Sequence, residues 1–173
     1  MPTPTHLLSA DQTVAAPLAI HRETVRPEWI DYNGHLNVAY YLLAFDHATD
    51  ALLDLIGLGH DHVRQHGGSI FILETHVSYH REVVAGDPLV FTTQLFDFDA
   101  KRIHHAHRMH HAEAGYLAAT NELMLLHVDL ASRRGAPMPA AAIERLGRIR
   151  AAHAGLARPQ GLSRVIGLTR PAR

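Results

Sequence analysis

The chain has 173 residues, of which 47% are apolar and 19% charged, a balance that suits one compact domain with a sizeable core and excludes a wholly disordered chain. Sixteen Lys and Arg against 17 Asp and Glu leave a formal net charge of -1, so the positive field that draws proteins onto nucleic acid is missing. With no cysteine, the sequence excludes disulfides, thiolate metal centres and a Cys nucleophile.

Residues 1–17 mix Pro, Thr and Ala without periodicity and read as a flexible arm. They show neither the basic start nor the apolar block of a signal peptide, and apolar runs such as Ala39 to Phe45 fall far short of the roughly 18 residues that span a bilayer. A cytoplasmic location is expected. Leu18 to Arg26 suits a first strand that Pro27 ends, and Glu28 to Leu36 carries the Asp, Asn and Gly that tight turns prefer. From Asn37 to Ile56, Val38, Tyr41, Leu42, Phe45, Ala48, Leu52 and Ile56 recur at helical spacing, with Asn37 as N-cap and Gly57 as terminator. The other faces are apolar too, apart from a narrow stripe of Asp46, Asp50 and Asp54, so the fold is expected to enclose this helix.

After a loop from His60 to Gly68, the period changes. Ser69 to Glu82, Leu89 to Phe98, Arg102 to Glu113 and Tyr116 to Leu130 all suit strands separated by short turns. A second helix is expected from Pro139 to about Ala154, and residues 156–173 read as a mobile basic tail. One long helix followed by four long strands implies an α+β domain over residues 18–155, its curved antiparallel sheet wrapped around the helix.

The segment Trp29-Ile30-Asp31-Tyr32-Asn33-Gly34-His35-Leu36-Asn37 places a carboxylate, an imidazole and an amide side chain directly before the helix. A helix start offers unpaired N–H groups and a positive dipole end, suited to the oxyanion of an attacked acyl carbonyl. Asp31 or His35 is then the nucleophile or base. The competing reading makes Asp31 an Asx-turn residue, Gly34 a positive-φ position and Asn37 simply a cap.

The run D-Y-N-G-H-L-N at 31–37 resembles the D-x-x-G-H-x-N signature of hotdog-fold acyl-CoA thioesterases of the 4-hydroxybenzoyl-CoA thioesterase superfamily. The segments Glu74 to Tyr79, Val84 to Leu89 and Ala119 to Asp129 match in order and spacing, so the resemblance covers roughly residues 20–150. It implies a helix inside a five-stranded antiparallel sheet, and a homodimer or tetramer with acyl-CoA sites between subunits. It also implies Asp31 as nucleophile or general base and the N–H groups of Asn37 and Val38 as the oxyanion donors. His35 and Asn37 are left to orient water or substrate, with Gly34 in the same motif, and no cofactor is required. Within that superfamily the sequence resembles the thioesterases of carnitine degradation that hydrolyse betainyl-CoA, whose quaternary ammonium group suits an aromatic cage. Trp29, Tyr32, Tyr40, Tyr41, Phe45 and Tyr79 are the candidates for that cage. Hotdog hydratases usually carry D-x-x-x-x-H, whereas the fifth residue after Asp31 is Leu36, which disfavours the hydratase alternative. A non-catalytic acyl-CoA-binding module remains the other alternative.

Further along, strict alternation from Ser69 to Glu82 puts Glu74 and His76 on one strand face, either as a buried acid–imidazole pair that assists catalysis or binds substrate or as a structural ion pair or dimer-interface hydrogen bond. Glu122 and His127 read as structural. Arg133 and Arg134, with Arg145, Arg148 and Arg150, are candidates for the CoA phosphates, since no P-loop is present. The run from His104 to His111 has imidazoles on both strand faces but no carboxylate or Cys to complete a ligand set, so no metal is expected there.

Overall fold

The computed structural model describes residues 7–160, 162 and 166–168. Its elements are β1 (Leu18–Thr24), a 3-10 turn at Pro27–Trp29, α1 (Val38–Ile56), α2 (His60–His66), β2 (Gly68–Tyr79), β3 (Pro88–Phe98), β4 (Arg102–His111), β5 (Leu117–Asp129), β6 (Arg134–Gly135) and α3 (Ala140–His153). The sheet is antiparallel in the order β1-β3-β4-β5-β2, with the two-residue β6 added against β5. This is the hotdog arrangement, a long helix held in a curled sheet.

Local chemistry fixes the ends of α1. Asn37 is the N-cap, its side chain accepting the Ala39 N–H, and Gly57 closes the helix at φ 83. The sheet buries the side of α1 formed by Ala44, Phe45, Ala48, Leu52 and Ile56, all 0% exposed. The helix's C-terminal half meets Leu95, Ile103, Leu123 and Leu125 of the sheet and Leu146 and Ile149 of α3. Its N-terminal half meets Trp29, Leu36, Val83, Leu89, Phe91 and Met109. Enclosure is nevertheless incomplete. Val38 is 59% exposed and Leu42 41%, so the first turns present an apolar face that the rest of the chain does not cover.

Three features depart from the sequence-based expectations. The His60 to Gly68 loop contains the short helix α2, capped by Gly67 at φ 64. Strict alternation in β2 fails, because the pairing with β5 slips between Ile72 and Glu74. Ile70 therefore packs into the core before the slip, whereas Val77 and Tyr79 turn toward α1 after it. In the N-terminal region, Leu8 is buried against α1, its N–H donating to Leu55 O at 3.0 Å.

Arg145 and Arg148 of α3 hold the same N-terminal segment by donating to the carbonyls of Leu8, Ser9 and Gln12. At the other end of the chain, Gln94 donates to Ala157 O at 3.3 Å and Arg158 reaches Glu122 at 2.7 Å. The rest of the expected arm and tail, at residues 1–6, 161, 163–165 and 169–173, lies outside the described residues. Among the described residues, no helix is long and apolar enough to cross a membrane.

Candidate active site

The segment before α1 folds back on itself. Ile30 and Leu36 form a β-bridge, and the Asp31 N–H donates to His35 O at 3.1 Å. Gly34 N–H donates to Asp31 O at 3.0 Å, closing a turn that requires the φ of 84 found at Gly34. One carboxylate oxygen of Asp31, Oδ1, accepts the Asn33 N–H at 2.8 Å. Among the described residues, the other, Oδ2, has as its hydrogen-bond partner only the side-chain amide of Asn37, at 3.5 Å. Both local roles, Asx turn and cap, are thus present, yet Oδ2 is left with lone pairs to spare on a half-buried carboxylate at the helix mouth.

The donors at this mouth are fewer than expected. Asn37 N–H is spent on Trp29 O at 2.9 Å, which removes it as an oxyanion donor, and Ala39 N–H is taken by the Asn37 cap at 2.9 Å. Val38 N–H has no acceptor among the described residues. His35 is half-buried, with Nδ1 3.2 Å from Leu36 O.

Among the described residues, the six aromatic rings do not form a cage. Trp29 is 3% exposed, stacked on Tyr40 at 5.6 Å with the Arg26 guanidinium 4.8 Å from its ring centre. Tyr41 is buried and meets Tyr79 edge to face at 5.2 Å, and burial raises the pKa of its hydroxyl. Phe45 is core. Of the six rings, Tyr32 and Tyr79 are largely open to solvent, at 97% and 50% exposed.

Other expected site residues lie elsewhere. After the β2 slip, Glu74 and His76 sit exposed on the face away from α1; His76 contacts Ser78 at 3.4 Å, and the expected buried pair is not formed. Arg133 and Arg134 are exposed beyond the Asp129 end of β5, whereas Ala119 at its other end pairs with Tyr79 beside the helix mouth. That separation is roughly 30 Å along the strand. Arg145, Arg148 and Arg150 donate to backbone carbonyls, so they act as structural clasps within the chain. Sequence reasoning passed over Arg26, on Trp29, and Arg81, whose guanidinium lies 4.0 Å from the Tyr116 ring. Only the i, i+3 spacing of Arg26 and Trp29 hinted at the first.

The histidines of β4 divide by face. His105 and His107 point under α1 at 0% exposure, while His104 bonds Glu122 at 2.8 Å on the opposite face. Burial lowers the His105 pKa to about 3 and holds His107 well below the usual range. A cavity of about 100 Å³ lies on that opposite face, lined in part by Thr92, Gln94, Arg108 and Leu156 and by no residue of the Asp31 turn.

Residues 25–146 match the profile of the Thioesterase-like superfamily. Betainyl-CoA thioesterase of Pseudomonas aeruginosa is 42% identical over 151 residues, covering 87% of this chain and 95% of that protein. The L-carnitine dehydrogenase/betainyl-CoA thioesterase of Rhizobium meliloti is 38% identical over 156 residues, 90% of this chain but 31% of that longer protein. Among solved structures, a Staphylococcus aureus protein in complex with CoA superposes with a TM-score of 0.80 at 25% identity, covering 91% of this chain and all of that one (100%). A 1,4-dihydroxy-2-naphthoyl-CoA thioesterase from Synechocystis shares the fold at a TM-score of 0.63 and 18% identity, over 80% of this chain and 97% of that one.

Proposed function

The chain belongs to the thioesterase-like superfamily, and from that premise we propose that it hydrolyses an acyl-CoA thioester at the turn that begins with Asp31. The observation that carries this reading is that the turn leaves one carboxylate oxygen, Asp31 Oδ2, underused, while the helix-start Val38 N–H has no acceptor among the described residues. Val38 N–H polarises the thioester carbonyl, and the developing oxyanion is stabilised there by the donor and the helix dipole. Asp31 either attacks the carbonyl carbon itself or takes a proton from the attacking water. In both routes the C–S bond breaks and CoA leaves as the thiolate and is protonated; water attack releases the acid directly, whereas attack by Asp31 leaves an acyl–Asp31 anhydride that water then hydrolyses, freeing the acid and restoring the carboxylate. Asn37 holds Oδ2 in place, Gly34 shapes the turn, and His35 orients substrate or water.

The site is completed by a second copy of the chain. Two features support this: the exposed apolar face of α1 at Val38 and Leu42, and the exposed Ile72, Leu73 and Tyr79 on the edge strand β2. Glu74, His76, Arg133 and Arg134, too remote in their own protomer, belong to this reading only as residues reaching a partner's site. A cytoplasmic location fits an acyl-CoA substrate.

For the acyl group we take betainyl, following the Pseudomonas aeruginosa relative. The exposed rings of Tyr79 and Tyr32 offer π faces to its trimethylammonium group. Hydration of an enoyl thioester is disfavoured, since Leu36 stands where that chemistry needs a proton carrier and is 1% exposed.

The test is thiol release from betainyl-CoA, from its neutral isostere 3,3-dimethylbutyryl-CoA and from acetyl-CoA, with Asp31→Asn and Asp31→Ala alongside. A loss in kcat of about 100-fold or more in both variants is expected. Full activity in both would remove Asp31 from the mechanism, and absence of hydrolysis with every thioester would leave a binding module. Equal kcat/KM for betainyl-CoA and the isostere would remove the cation preference.

A further inference from the structure

A second constellation lies well away from the Asp31 turn, where β1 crosses the middle of α1. His21 and Glu23 are two residues apart on β1, so their side chains share a face, and His47 meets them from the helix. Glu23 Oε2 is 3.0 Å from His47 Nδ1 and 3.5 Å from His21 Nε2, and the three groups' ligand atoms all lie within 4.8 Å of one another. The side chains are 9%, 10% and 32% exposed for His21, Glu23 and His47 respectively. Such a site is shielded on two sides and open beside His47.

We propose that His21, Glu23 and His47 bind a divalent cation of the zinc class, through His21 Nε2, Glu23 Oε2 and His47 Nδ1, with water in the open fourth position. A tetrahedral centre with bonds of about 2.0–2.2 Å sets its donors about 3.4 Å apart, and both contacts to Glu23 Oε2 are within a few tenths of an ångström of that spacing. Two imidazoles and one carboxylate form a donor set suited to zinc or cobalt and too rich in nitrogen for magnesium or calcium.

The surroundings fit this reading. The Phe91 ring packs on His21 at 5.1 Å and fixes its direction. His47 Nδ1 lies 3.1 Å from the second oxygen, Glu23 Oε1, as well, and Nη2 of Arg26, whose side chain is 56% exposed, lies 3.6 Å from that same oxygen. Arg26 serves there as an outer partner that orients the carboxylate. Asp46 and Asp50, next to His47 and one turn beyond it on α1, are exposed and add negative charge near it. The two residues on β1 and the one on α1 are far apart in sequence, so no local ligand spacing announces the site.

Ten residues of helix separate Asn37 from His47, about 15 Å, which places the cation outside the thioester chemistry. Its effect is to staple the edge strand β1 to the buried helix, independently of the hydrolysis proposed above.

The experiment uses the full-length protein, stripped with chelator and desalted, titrated with ZnCl2 by calorimetry and with CoCl2 by visible absorption. Because the chain carries 16 histidines, variants supply the comparison: His47→Ala and Glu23→Gln at the site, and His66→Ala on the exposed face of α2. The expected result is one tight equivalent per chain with a cobalt d–d band, both lost in His47→Ala and Glu23→Gln and both retained in His66→Ala, together with a zinc-dependent rise in Tm. No stoichiometric binding by the unaltered protein, or an unchanged equivalent in His47→Ala, overturns the proposal. Should either site variant fail to fold, zinc-edge anomalous scattering from crystals of the unaltered protein decides: a peak among the three named atoms upholds the site, and a site without one refutes it.

Discussion

Thr49 Oγ1 on α1 and His107 Nε2 on β4 lie 3.1 Å apart, tying the middle of the buried helix to a central strand. Donor accounting fixes the protons along this contact. Thr49 donates its hydroxyl to Phe45 O at 3.0 Å, so it accepts from His107 Nε2–H, and His107 Nδ1 then accepts from Thr93 Oγ1 at 2.8 Å. His105 Nε2, 3.1 Å from His107 Nε2, is left as an acceptor, which puts the His105 proton on Nδ1, a buried atom with no partner among the described residues. Both rings are held neutral by burial.

That neutrality makes stability depend on pH in a defined direction. The unfolded His105 takes up a proton near pH 6.5, whereas the folded one resists until about 3. Between those values the unfolded state binds more protons, so this stabilisation is complete above about pH 6.5 and is lost as pH falls through the window, by up to about 1.4 kcal/mol per unit for one group. Urea midpoints measured from pH 4.5 to 7.5 are expected to fall on the acid side, and His105→Gln is expected to flatten the slope by about one proton. Superimposable slopes for the two proteins would refute the assignment.

Asn37 performs two separable tasks, since its Oδ1 caps α1 and its Nδ2 faces Asp31. Asn37→Ser keeps a capping oxygen and gives up the amide, so stability should stay within about 0.5 kcal/mol while kcat drops roughly tenfold. Asn37→Ala gives up both and should also cost about 1 kcal/mol. Thermal unfolding and initial rates on the same samples separate the two tasks. An Asn37→Ser enzyme with unaltered kcat would show that the amide does not position the carboxylate.

Glu122 is completely buried on β5, and its Oε1 accepts both from Arg158 at 2.7 Å and from His104 at 2.8 Å. Arg158→Ala leaves that carboxylate with one partner and removes one of the ties between the C-terminal segment and the sheet, the Gln94 bond to Ala157 O remaining. A loss of about 1–2 kcal/mol is expected, discounted because Arg158 is 52% exposed. Glu122→Ala, which removes a fully buried side chain and strands His104, should cost more, about 3–5 kcal/mol. A double-mutant cycle by chemical denaturation tests the pair, and additive losses would mean that no coupling exists.

What the sequence disclosed and what it hid follow from the distance over which each feature is decided. The limits of α1 were legible because Asn37 and Gly57 act on their own neighbours, and the Asp31 turn was legible because its bonds close within seven residues. The slip in β2 was not, since it arises from pairing with β5, and it moved Glu74 and His76 away from the helix. The loss of the Asn37 N–H to Trp29 O also depends on the fold-back and carries no residue signature. The buried identities of Glu122, His105 and His107 were hidden for the same reason: polar residues on a central strand look solvent-facing until a helix and a chain end cover them.

Gly68 opens β2 between two histidines, and its lack of a side chain is a packing requirement. His127 Nδ1 donates to Ala136 O at 2.9 Å, so its Nε2 accepts from His62 Nε2 at 3.0 Å, joining α2 to β5. A Cβ at position 68 would collide with both Nε2 atoms of that pair. Gly68→Ala is therefore expected to part the histidines and to cost about 1–3 kcal/mol. Gly147, inside α3 with nothing within 4 Å of its would-be Cβ, provides the opposite case. There Gly→Ala should stabilise by about 1 kcal/mol through helix propensity alone. Urea unfolding of both variants reads the contrast directly: if Gly68→Ala matched or exceeded the unaltered protein, the His62–His127 contact would not be what fixes α2 against the sheet.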